Sequence, residues 1–338
     1  MKLNSSVKNT ISTDKIFEVN DLSFEALALN IYAYQYNENS VYREFCQLVG
    51  KTPDKVTRLT AIPFLPVSFF KTHKVVTGNF EPETIFESSG TTTSINSKHF
   101  VQSTALYEQS FNNCFQQFYG LPKDWCILAL LPSYLERNHS SLVWMANKLI
   151  QQSNHPSSGF FLDDIDALNT TLQANERQQQ PTILLGVTYA LLDFAEQYPQ
   201  ALQHTIIMET GGMKGRRQEI TRAAVHDFLK SSFQVKSIHS EYGMTELLSQ
   251  AYSSGDGMYS CPPWMKIALR EEDDPFNIQT TTTQPFISGA VNIIDLANIH
   301  SCAFIATDDA GKIYADGRFE ILGRLDHSDI RGCSLLTV

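Results

Sequence analysis

The chain has 338 residues, of which 36 are acidic and 26 basic, so its formal net charge is −10. This balance excludes a general nucleic-acid surface, which needs clustered lysine and arginine side chains to neutralise phosphates. A chain of this length exceeds the usual single domain, so it predicts a large domain with an appendage, or two domains.

The first third of the chain is predicted to begin with helices and to end in a pair of strands. Apolar residues at helical spacing predict two helices within residues 24–50. The prolines of segment 62–66 interrupt this pattern, because proline lacks an N–H and restricts the residue before it. Short strands are predicted over residues 84–86 and 98–102, with a polar loop between them.

From residue 106 to residue 230 helices and strands alternate along the sequence. The predicted helices cover residues 106–118, 141–150, 163–177, 189–197 and 218–230. The predicted strands cover residues 126–131, 159–162, 182–187 and 205–208. This alternation predicts an α/β fold in which helices cover a sheet. After Ser249, short runs divided by turns predict a smaller antiparallel part with an exposed loop over residues 271–283.

The cysteine spacing and the length of the apolar segments indicate a cellular compartment. The six cysteines are scattered without a CxxC pair, which indicates reduced thiols rather than a disulfide framework or a zinc site. The residues up to Thr13 contain no apolar signal core. The longest apolar run, residues 126–131, is too short to span a bilayer. We therefore expect a cytoplasmic protein without a membrane span.

The first of three motifs is a polar loop over residues 87–94, with one glycine among serines and threonines. Such a loop lets backbone N–H groups and hydroxyls converge on phosphate oxygens. It differs from a Walker A loop, because the second glycine and the GK[ST] ending are absent. An ordinary polar turn is the alternative interpretation.

The second motif covers residues 241–246. Within it, Tyr242 can stack on a base, Thr245 can bond a phosphate and Glu246 can bind Mg²⁺ through hard oxygen ligands. The alternative is that Thr245 and Glu246 simply begin a helix, where such residues satisfy free N–H groups.

The third motif pairs Thr307 and Asp308 with a Gly-Arg-rich segment that ends at Asp326. An aspartate at this point can bind both hydroxyls of a ribose, as acidic residues do in other nucleotide sites. A β-hairpin with a surface salt bridge is the alternative.

In this order the motifs resemble the adenylate-forming superfamily, which includes acyl-CoA synthetases, peptide-synthetase adenylation domains and luciferases. A narrower resemblance, over nearly the whole chain, is to the bacterial acyl-protein synthetases of the LuxE family, known from fatty-acid reductase complexes. Segments 62–73, 210–215 and 329–333 carry it, together with a phosphate loop that lacks a Gly-x-Pro-Lys ending. Phenylacetate–CoA ligases are the nearest relatives outside that family.

The resemblance implies an α/β fold, the large domain of an adenylate-forming enzyme, over residues 1–325, with mixed sheets, a smaller antiparallel part and a helical N-terminal segment. Residues 326–338 then form a short tail where acyl-CoA synthetases carry a lid domain with a catalytic lysine. Either Lys214 or Lys98 replaces that lysine, or the first step is slow without a partner protein.

The resemblance also implies roles for individual residues. The phosphates of ATP are assigned to Ser88, Ser89, Gly90, Thr91 and Thr92, with Lys98 beyond them. Adenine is assigned to Gly211, Gly212 and Tyr242. The α-phosphate is assigned to Thr245, the metal to Glu246, the ribose to Asp308 and Arg324, and the hinge position to Asp326. Leu135, His139 and Ser140 are guesses for the lining of the acid pocket.

The implied activity uses ATP and Mg²⁺ to convert a carboxylic acid, most often a fatty acid in this family, into an acyl-AMP. Cys333 then accepts the acyl group, helped by Arg331, and Cys333, Lys214 and Glu246 form the catalytic set. An acyl reductase is the expected protein partner. Two alternatives are an acyl- or aryl-CoA ligase that lacks its own lid, and a non-catalytic nucleotide-binding scaffold. For Cys333 alone, a buried structural thiol is the alternative.

Overall fold

The structure, a computed structural model, describes residues 11–88, 95–132, 139–211, 220–271 and 273–325. In these ranges the helices are α1 (Asp14–Phe17), α2 (Asp21–Glu38), α3 (Ser40–Leu48), α4 (Phe69–Thr72), α5 (Thr104–Tyr119), α6 (Ser141–Ser153), α7 (Ile165–Gln178), α8 (Thr188–Gln197) and α9 (Arg222–Phe233). Short 3₁₀ turns lie at Leu59–Ala61 and Pro122–Asp124.

The strands lie between Leu65 and Arg324. They are β1 (Leu65–Pro66), β2 (Thr84–Glu87), β3 (Lys98–Val101), β4 (Cys126–Leu130), β5 (Gly159–Phe160), β6 (Thr182–Val187), β7 (Thr205–Thr210), β8 (His239–Tyr242), β9 (Ala251–Ser253), β10 (Tyr259–Ser260), β11 (Met265–Arg270), β12 (Ile278–Gln279), β13 (Phe286–Asp295), β14 (Phe304–Tyr314) and β15 (Phe319–Arg324).

One large sheet organises the described residues. Its order is β12-β11-β13-β14-β15-β10-β9-β8-β7-β6-β4-β5, and β1 pairs with β14. The strands from β5 to β8 are parallel, whereas those from β8 to β12 are antiparallel. Strands β2 and β3 form a separate antiparallel pair. The predicted α/β fold with an antiparallel part is therefore confirmed.

The parallel strands form because their sequences suit a fully buried position. Every residue of β4 and β6 is buried, as near-continuous apolar runs under helices require. Helix α6 packs on β4, and α8 packs on β6 and β7. The predicted helix over residues 218–230 is present as α9, although its predicted beginning falls outside the described residues.

The N-terminal helices belong to the same core. Asn20 caps α2 through its side chain, and Asn39 caps α3. The Tyr42 hydroxyl donates to the Pro63 carbonyl at 2.7 Å, and its ring stacks on Phe304 of β14 with centroids 6.2 Å apart. The helical segment predicted at the start of the chain thus packs against the antiparallel part of the sheet.

Three parallel strands define an edge for a ligand site. Strands β6, β7 and β8 end at Val187, Thr210 and Tyr242, and the carboxyl ends of parallel strands lie at the same edge. In open α/β sheets, ligands bind in the crevice outside this edge. Across the described residues, no helix has the length and apolar character that crossing a bilayer requires.

Candidate active site

Two residues at the base of the predicted phosphate loop are hydrogen-bonded to each other. Ser88 and Ser97 flank the segment that contains residues 89–94, which lies outside the described residues. The Ser97 N–H donates to Ser88 Oγ at 2.9 Å, and the Ser88 N–H donates to the Ser97 carbonyl at 3.1 Å. These bonds hold the two ends of the loop together. Four of the predicted loop residues therefore lie outside the described residues: Ser89, Gly90, Thr91 and Thr92.

Glu246 lies beside this loop base. Its side chain is 5% exposed. Burial raises the pKa of the Glu246 carboxyl, while a hydrogen bond from Ser97 and the charges of Arg324 and Lys71 oppose that rise. Ser97 therefore links Ser88 of the first motif to the carboxylate of the second motif, more than 140 residues further along the chain.

The backbone around Glu246 is a turn and not a helix. Residues 243–250 connect β8 to β9, with the Leu247 N–H bonded to the Met244 carbonyl at 3.1 Å. The alternative in which Thr245 and Glu246 begin a helix is therefore wrong. The Thr245 carbonyl bonds to His99 Nδ1 at 2.9 Å, and the Glu246 carbonyl accepts from Asn298 Nδ2 at 2.7 Å.

His99 is neutral in this position. The ring is buried, and burial lowers the pKa of His99 to about 4. A carbonyl can only accept, so the proton on the imidazole is carried by Nδ1 in this contact. Sequence analysis did not identify this histidine, which directly follows Lys98 at the start of β3.

Tyr242 ends β8 and faces the third motif. Its hydroxyl donates to Asp309 Oδ2 at 2.7 Å. Its ring makes edge contacts with Tyr259 and Phe319, each with centroids 5.9 Å apart. These contacts fix the orientation of the aromatic ring that was predicted to stack on adenine.

The two neighbouring aspartates of β14 have different surroundings. Asp309 bonds to Tyr242, and its carboxylate lies 3.9 Å from Arg324 Nε. Asp308 lines a cavity of about 340 Å³ together with Phe64 and Phe276. Successive strand residues point to opposite faces, and Asp309 is the aspartate that faces Tyr242. Asp309 is therefore a candidate site residue that was not predicted from the sequence. The hairpin with a salt bridge, which was the alternative for this motif, is also present.

Glu209, the penultimate residue of β7, has several hydrogen-bond and charge partners. It accepts from Thr188 Oγ1 at 2.9 Å and from Ser240 Oγ at 3.0 Å, and it pairs with Arg222 at 3.4 Å. Burial pushes the pKa of Glu209 upward, but hydrogen bonding to His226 and the Arg222 charge outweigh it and hold the pKa below its usual range. Thr188 also donates to the Gly211 carbonyl at 3.3 Å, so this cluster anchors the turn where Gly211 begins.

Gly211 and Gly243 are glycines for different reasons. Gly211 has a φ of +73°, in the left-handed region that disfavours side chains. At Gly243 an added Cβ would lie 2.5 Å from Glu241 Oε1. The Glu241 side chain, which accepts a hydrogen bond from Thr210, therefore occupies the space beneath Gly243.

Two cations lie near carboxylates of this region. Lys98 Nζ lies 3.7 Å from Glu87 Oε1, with the lysine side chain half exposed. Lys71, at the end of α4, is exposed and close enough for its charge to act on Glu246. Lys71 follows the proline-rich segment 62–66, which is the sequence signal that could have identified it. Lys214 lies outside the described residues.

The residues guessed for the acid pocket are only partly described. His139 Nδ1 bonds to the Ile85 carbonyl at 3.2 Å, and the Ser140 side chain caps α6. Both therefore have structural partners. The other predicted site residues that lie outside the described ranges are Leu135, Gly212, Asp326, Arg331 and Cys333.

The donors around Glu246 suit a hard cation. In the described residues, no three His, Cys, Asp or Glu side chains converge as a metal cluster. A single carboxylate beside hydroxyl groups is the arrangement in which Mg²⁺ takes its remaining oxygens from water and substrate phosphates. The residues present therefore fit Mg²⁺ with a bound nucleotide, rather than a closed protein cage.

Comparison with known proteins gives the family context. A family model described as acyl-protein synthetase, LuxE, matches residues 12–337. A long-chain-fatty-acid–luciferin-component ligase from Vibrio harveyi is 24% identical over 332 residues, which cover 91% of this chain and 85% of that protein. A ligase of the same name from Photorhabdus luminescens is 38% identical over 66 residues, covering 19% of this chain and 56% of that protein.

A solved structure shows the same fold. The o-succinylbenzoate–coenzyme A synthetase from Bacillus subtilis, in complex with ATP and magnesium ion, matches with a TM-score of 0.50 and 17% identity. The match covers 74% of this chain and 51% of that one, so the chain spans about half the length of that synthetase. This chain therefore shares its α/β fold with an adenylate-forming enzyme over 74% of its length.

Proposed function

The chain belongs to the LuxE family of acyl-protein synthetases. We propose that it activates a long-chain fatty acid as an acyl-AMP and passes the acyl group to a protein thiol. One observation carries the adenylation step. Ser97 joins the base of the predicted phosphate loop to the buried carboxylate of Glu246. A loop suited to phosphate and a carboxylate suited to Mg²⁺ are both needed where the phosphates of ATP are cleaved.

In the first chemical step, a carboxylate oxygen of the fatty acid attacks the α-phosphorus of ATP. A new P–O bond forms, the bond to the β-phosphate breaks, and pyrophosphate leaves. Negative charge accumulates in this transition state, so positioned cations and donors contribute the largest stabilisation. The candidates on this chain are the loop hydroxyls with Lys98, Lys71 and Lys214.

Bound Mg²⁺ supplies charge neutralisation at the phosphates. For this chain, Glu246 is the proposed ligand, and Thr245 is the proposed partner of the α-phosphate. A cation beside Glu246 favours its ionised form, which opposes the effect of burial on its pKa.

The nucleoside is proposed to lie along β8 and β14. Tyr242 offers its aromatic ring to the adenine, next to the turn at Gly211. Asp309, which faces Tyr242, and Arg324, 3.9 Å from the Asp309 carboxylate, are proposed to bind the ribose. Asp308, which was predicted for this role from the sequence, points to the opposite face of the strand and is the alternative. Asp309 is the stronger candidate of the two aspartates, since its carboxylate already accepts from the Tyr242 hydroxyl.

In the second step, a thiolate attacks the carbonyl carbon of the acyl-AMP, and AMP leaves as the thioester forms. Cys333 is the proposed acceptor, and an acyl reductase is the proposed partner that consumes the thioester. The name of the Vibrio harveyi relative supports a long-chain fatty acid as substrate. Transfer to free coenzyme A is the competing outcome.

The test is acid-dependent exchange of labelled pyrophosphate into ATP by the purified chain. We expect exchange with Mg²⁺ and a long-chain fatty acid, and none when either is omitted. Acetate and phenylacetate serve as short and aromatic controls. Absence of exchange with every acid, while ATP binding is measured directly by calorimetry, would contradict adenylation. That outcome leaves a nucleotide-binding scaffold as the function.

A further inference from the structure

The turn that bears Thr245 and Glu246 is held by side chains from distant parts of the chain. His99 comes from β3, immediately after the phosphate loop. Asn298 comes from the loop that joins β13 to β14. Each bonds one of two consecutive carbonyls, at 2.9 Å for Thr245 and 2.7 Å for Glu246. The two peptide groups on either side of the candidate metal ligand are therefore fixed from two directions.

The end of β13 holds the N–H groups that follow in the turn. Asp295 Oδ2 accepts from the Leu248 N–H at 2.8 Å and from the Ser249 N–H at 3.0 Å. The backbone from Thr245 to Ser249 is thus bonded through external side chains instead of a regular helix or strand. Without these bonds, buried backbone groups would lose their partners, which carries a large cost.

Asn298 is itself anchored by the N-terminal helix α2. Gln35 Nε2 donates to the carbonyls of Asn298 and Ile299, both at 3.0 Å, and Gln35 Oε1 accepts from the Ala303 N–H at 2.9 Å. Asn298 Nδ2 also donates to the Cys302 carbonyl at 3.0 Å. Both Gln35 and Asn298 are fully buried, so this anchor lies within the core.

We infer that His99 and Asn298 are positioning residues, which orient the Thr245–Glu246 turn so that its side chains meet Mg²⁺ and the α-phosphate. This inference rests on the proposed function of Glu246. Neither residue is proposed to contact the substrate. They act through the backbone, where a displacement of about 1 Å can reduce turnover a hundredfold.

The main test compares two replacements of His99. His99→Phe keeps an aromatic ring beside Phe70, with which His99 makes an edge contact, but it removes the donor to the Thr245 carbonyl. His99→Asn restores an N–H donor near the position of Nδ1. We expect His99→Phe to raise the Mg²⁺ concentration for half-maximal pyrophosphate exchange about tenfold or more, and His99→Asn to recover most of that loss.

Asn175→Ala is the matched control. Asn175 is also a buried asparagine, and its Nδ2 donates to Thr182 Oγ1 at 3.1 Å in a part of the fold away from the turn. Its loss should lower thermal stability without changing the Mg²⁺ requirement. An Asn298→Asp variant, which replaces the donor by an oxygen, should behave like His99→Phe and serves if the latter fails to fold.

A second readout does not depend on turnover. Calorimetric binding of ATP, titrated with and without Mg²⁺, should show a weakened Mg²⁺-dependent increase in affinity in His99→Phe and Asn298→Asp. The inference is overturned if His99→Asn is as defective as His99→Phe, or if Asn175→Ala changes the Mg²⁺ dependence equally. Failure of the proposed function is recognised separately, because wild type would then bind ATP without exchange for any acid. A wrong role for Glu246 alone is recognised when Glu246→Gln leaves Mg²⁺-dependent ATP binding and exchange unchanged.

Discussion

Glu241 is a buried carboxyl group that directly precedes Tyr242. Burial raises its pKa to about 7, and the neighbouring charge of Glu209 acts in the same direction, while the hydrogen bond from Thr210 opposes them. An ordinary glutamate in the unfolded chain has a pKa near 4.5. Between these two values, the folded protein holds a proton that the unfolded chain has released.

This difference predicts a pH-dependent stability that Glu241→Gln removes. Because the folded pKa is raised, the contribution of Glu241 is most favourable below the unfolded pKa and is lost as the pH rises towards 7. From pH 5 to pH 8, wild type should lose about 2 kcal/mol of unfolding free energy relative to the variant. Urea denaturation of both proteins at the two pH values measures this difference. A wild-type-to-variant difference that stays constant with pH would contradict it.

At the scale of elements, the packing of α8 on β6 depends on Gly186. A Cβ at this position would lie 2.8 Å from Leu191 Cγ and 3.1 Å from Leu130 Cβ. Leu191 and Leu130 are both buried in the core. Because Gly186 has no side chain, Leu191 of α8 and Leu130 of β4 can pack directly against the backbone of β6.

Gly186→Ala should destabilise the protein by about 1–3 kcal/mol, because an added methyl group overpacks a filled region. Gly159→Ala is the matched control, since its Cβ would meet only Phe161 at an ordinary distance of 3.7 Å. The midpoints of urea unfolding at one pH compare the two variants. Similar losses in both would show that packing between α8 and β6 is not the cause.

The elements show why sequence analysis predicted the fold better than the site. The strand over residues 182–187 has the observed bounds, because a continuous apolar run specifies a buried parallel strand. Strand β1, at Leu65 and Pro66, was missed, because it exists only through pairing with Ile305 and Ala306 of β14. Such long-range pairing leaves no local pattern in two residues.

The same limitation explains Asp309. Alternation along a strand shows that Asp308 and Asp309 point to opposite faces, but it does not show which face meets Tyr242. That choice depends on the register between β14 and β15, which shifts between Ala310 and Gly311. His99 was missed for a related reason, because its partner at Thr245 is 146 residues away.

At the scale of the whole molecule, the candidate site combines residues from Lys71 to Arg324. The N-terminal helices reach it through Gln35, the hairpin β2–β3 reaches it through Ser97, and the antiparallel strands reach it through Asp309. The division between a domain ending at residue 325 and a tail over residues 326–338 stays a prediction, because the tail lies outside the described residues.

The described thiols are poor candidates for accepting an acyl group. Five of the six cysteines are described and free: Cys46, Cys114, Cys126, Cys261 and Cys302. Burial raises the pKa of each of these thiols above its usual value. The thiolate is the nucleophile, so a raised pKa reduces reactivity. If a cysteine of this chain becomes acylated, the remaining candidate is Cys333.

Cys333→Ser therefore separates the two proposed steps. Incubation with labelled long-chain fatty acid and MgATP should leave label on the wild-type protein that neutral hydroxylamine releases, as expected for a thioester. The serine variant should keep pyrophosphate exchange, because adenylation precedes the attack of the thiol, and should lose the hydroxylamine-labile label. Cys261→Ser, at the one partly exposed thiol among the five described cysteines, should keep both activities. Label that persists in Cys333→Ser, or that forms only on added coenzyme A, would exclude Cys333 as acceptor and favour a ligase acting on coenzyme A.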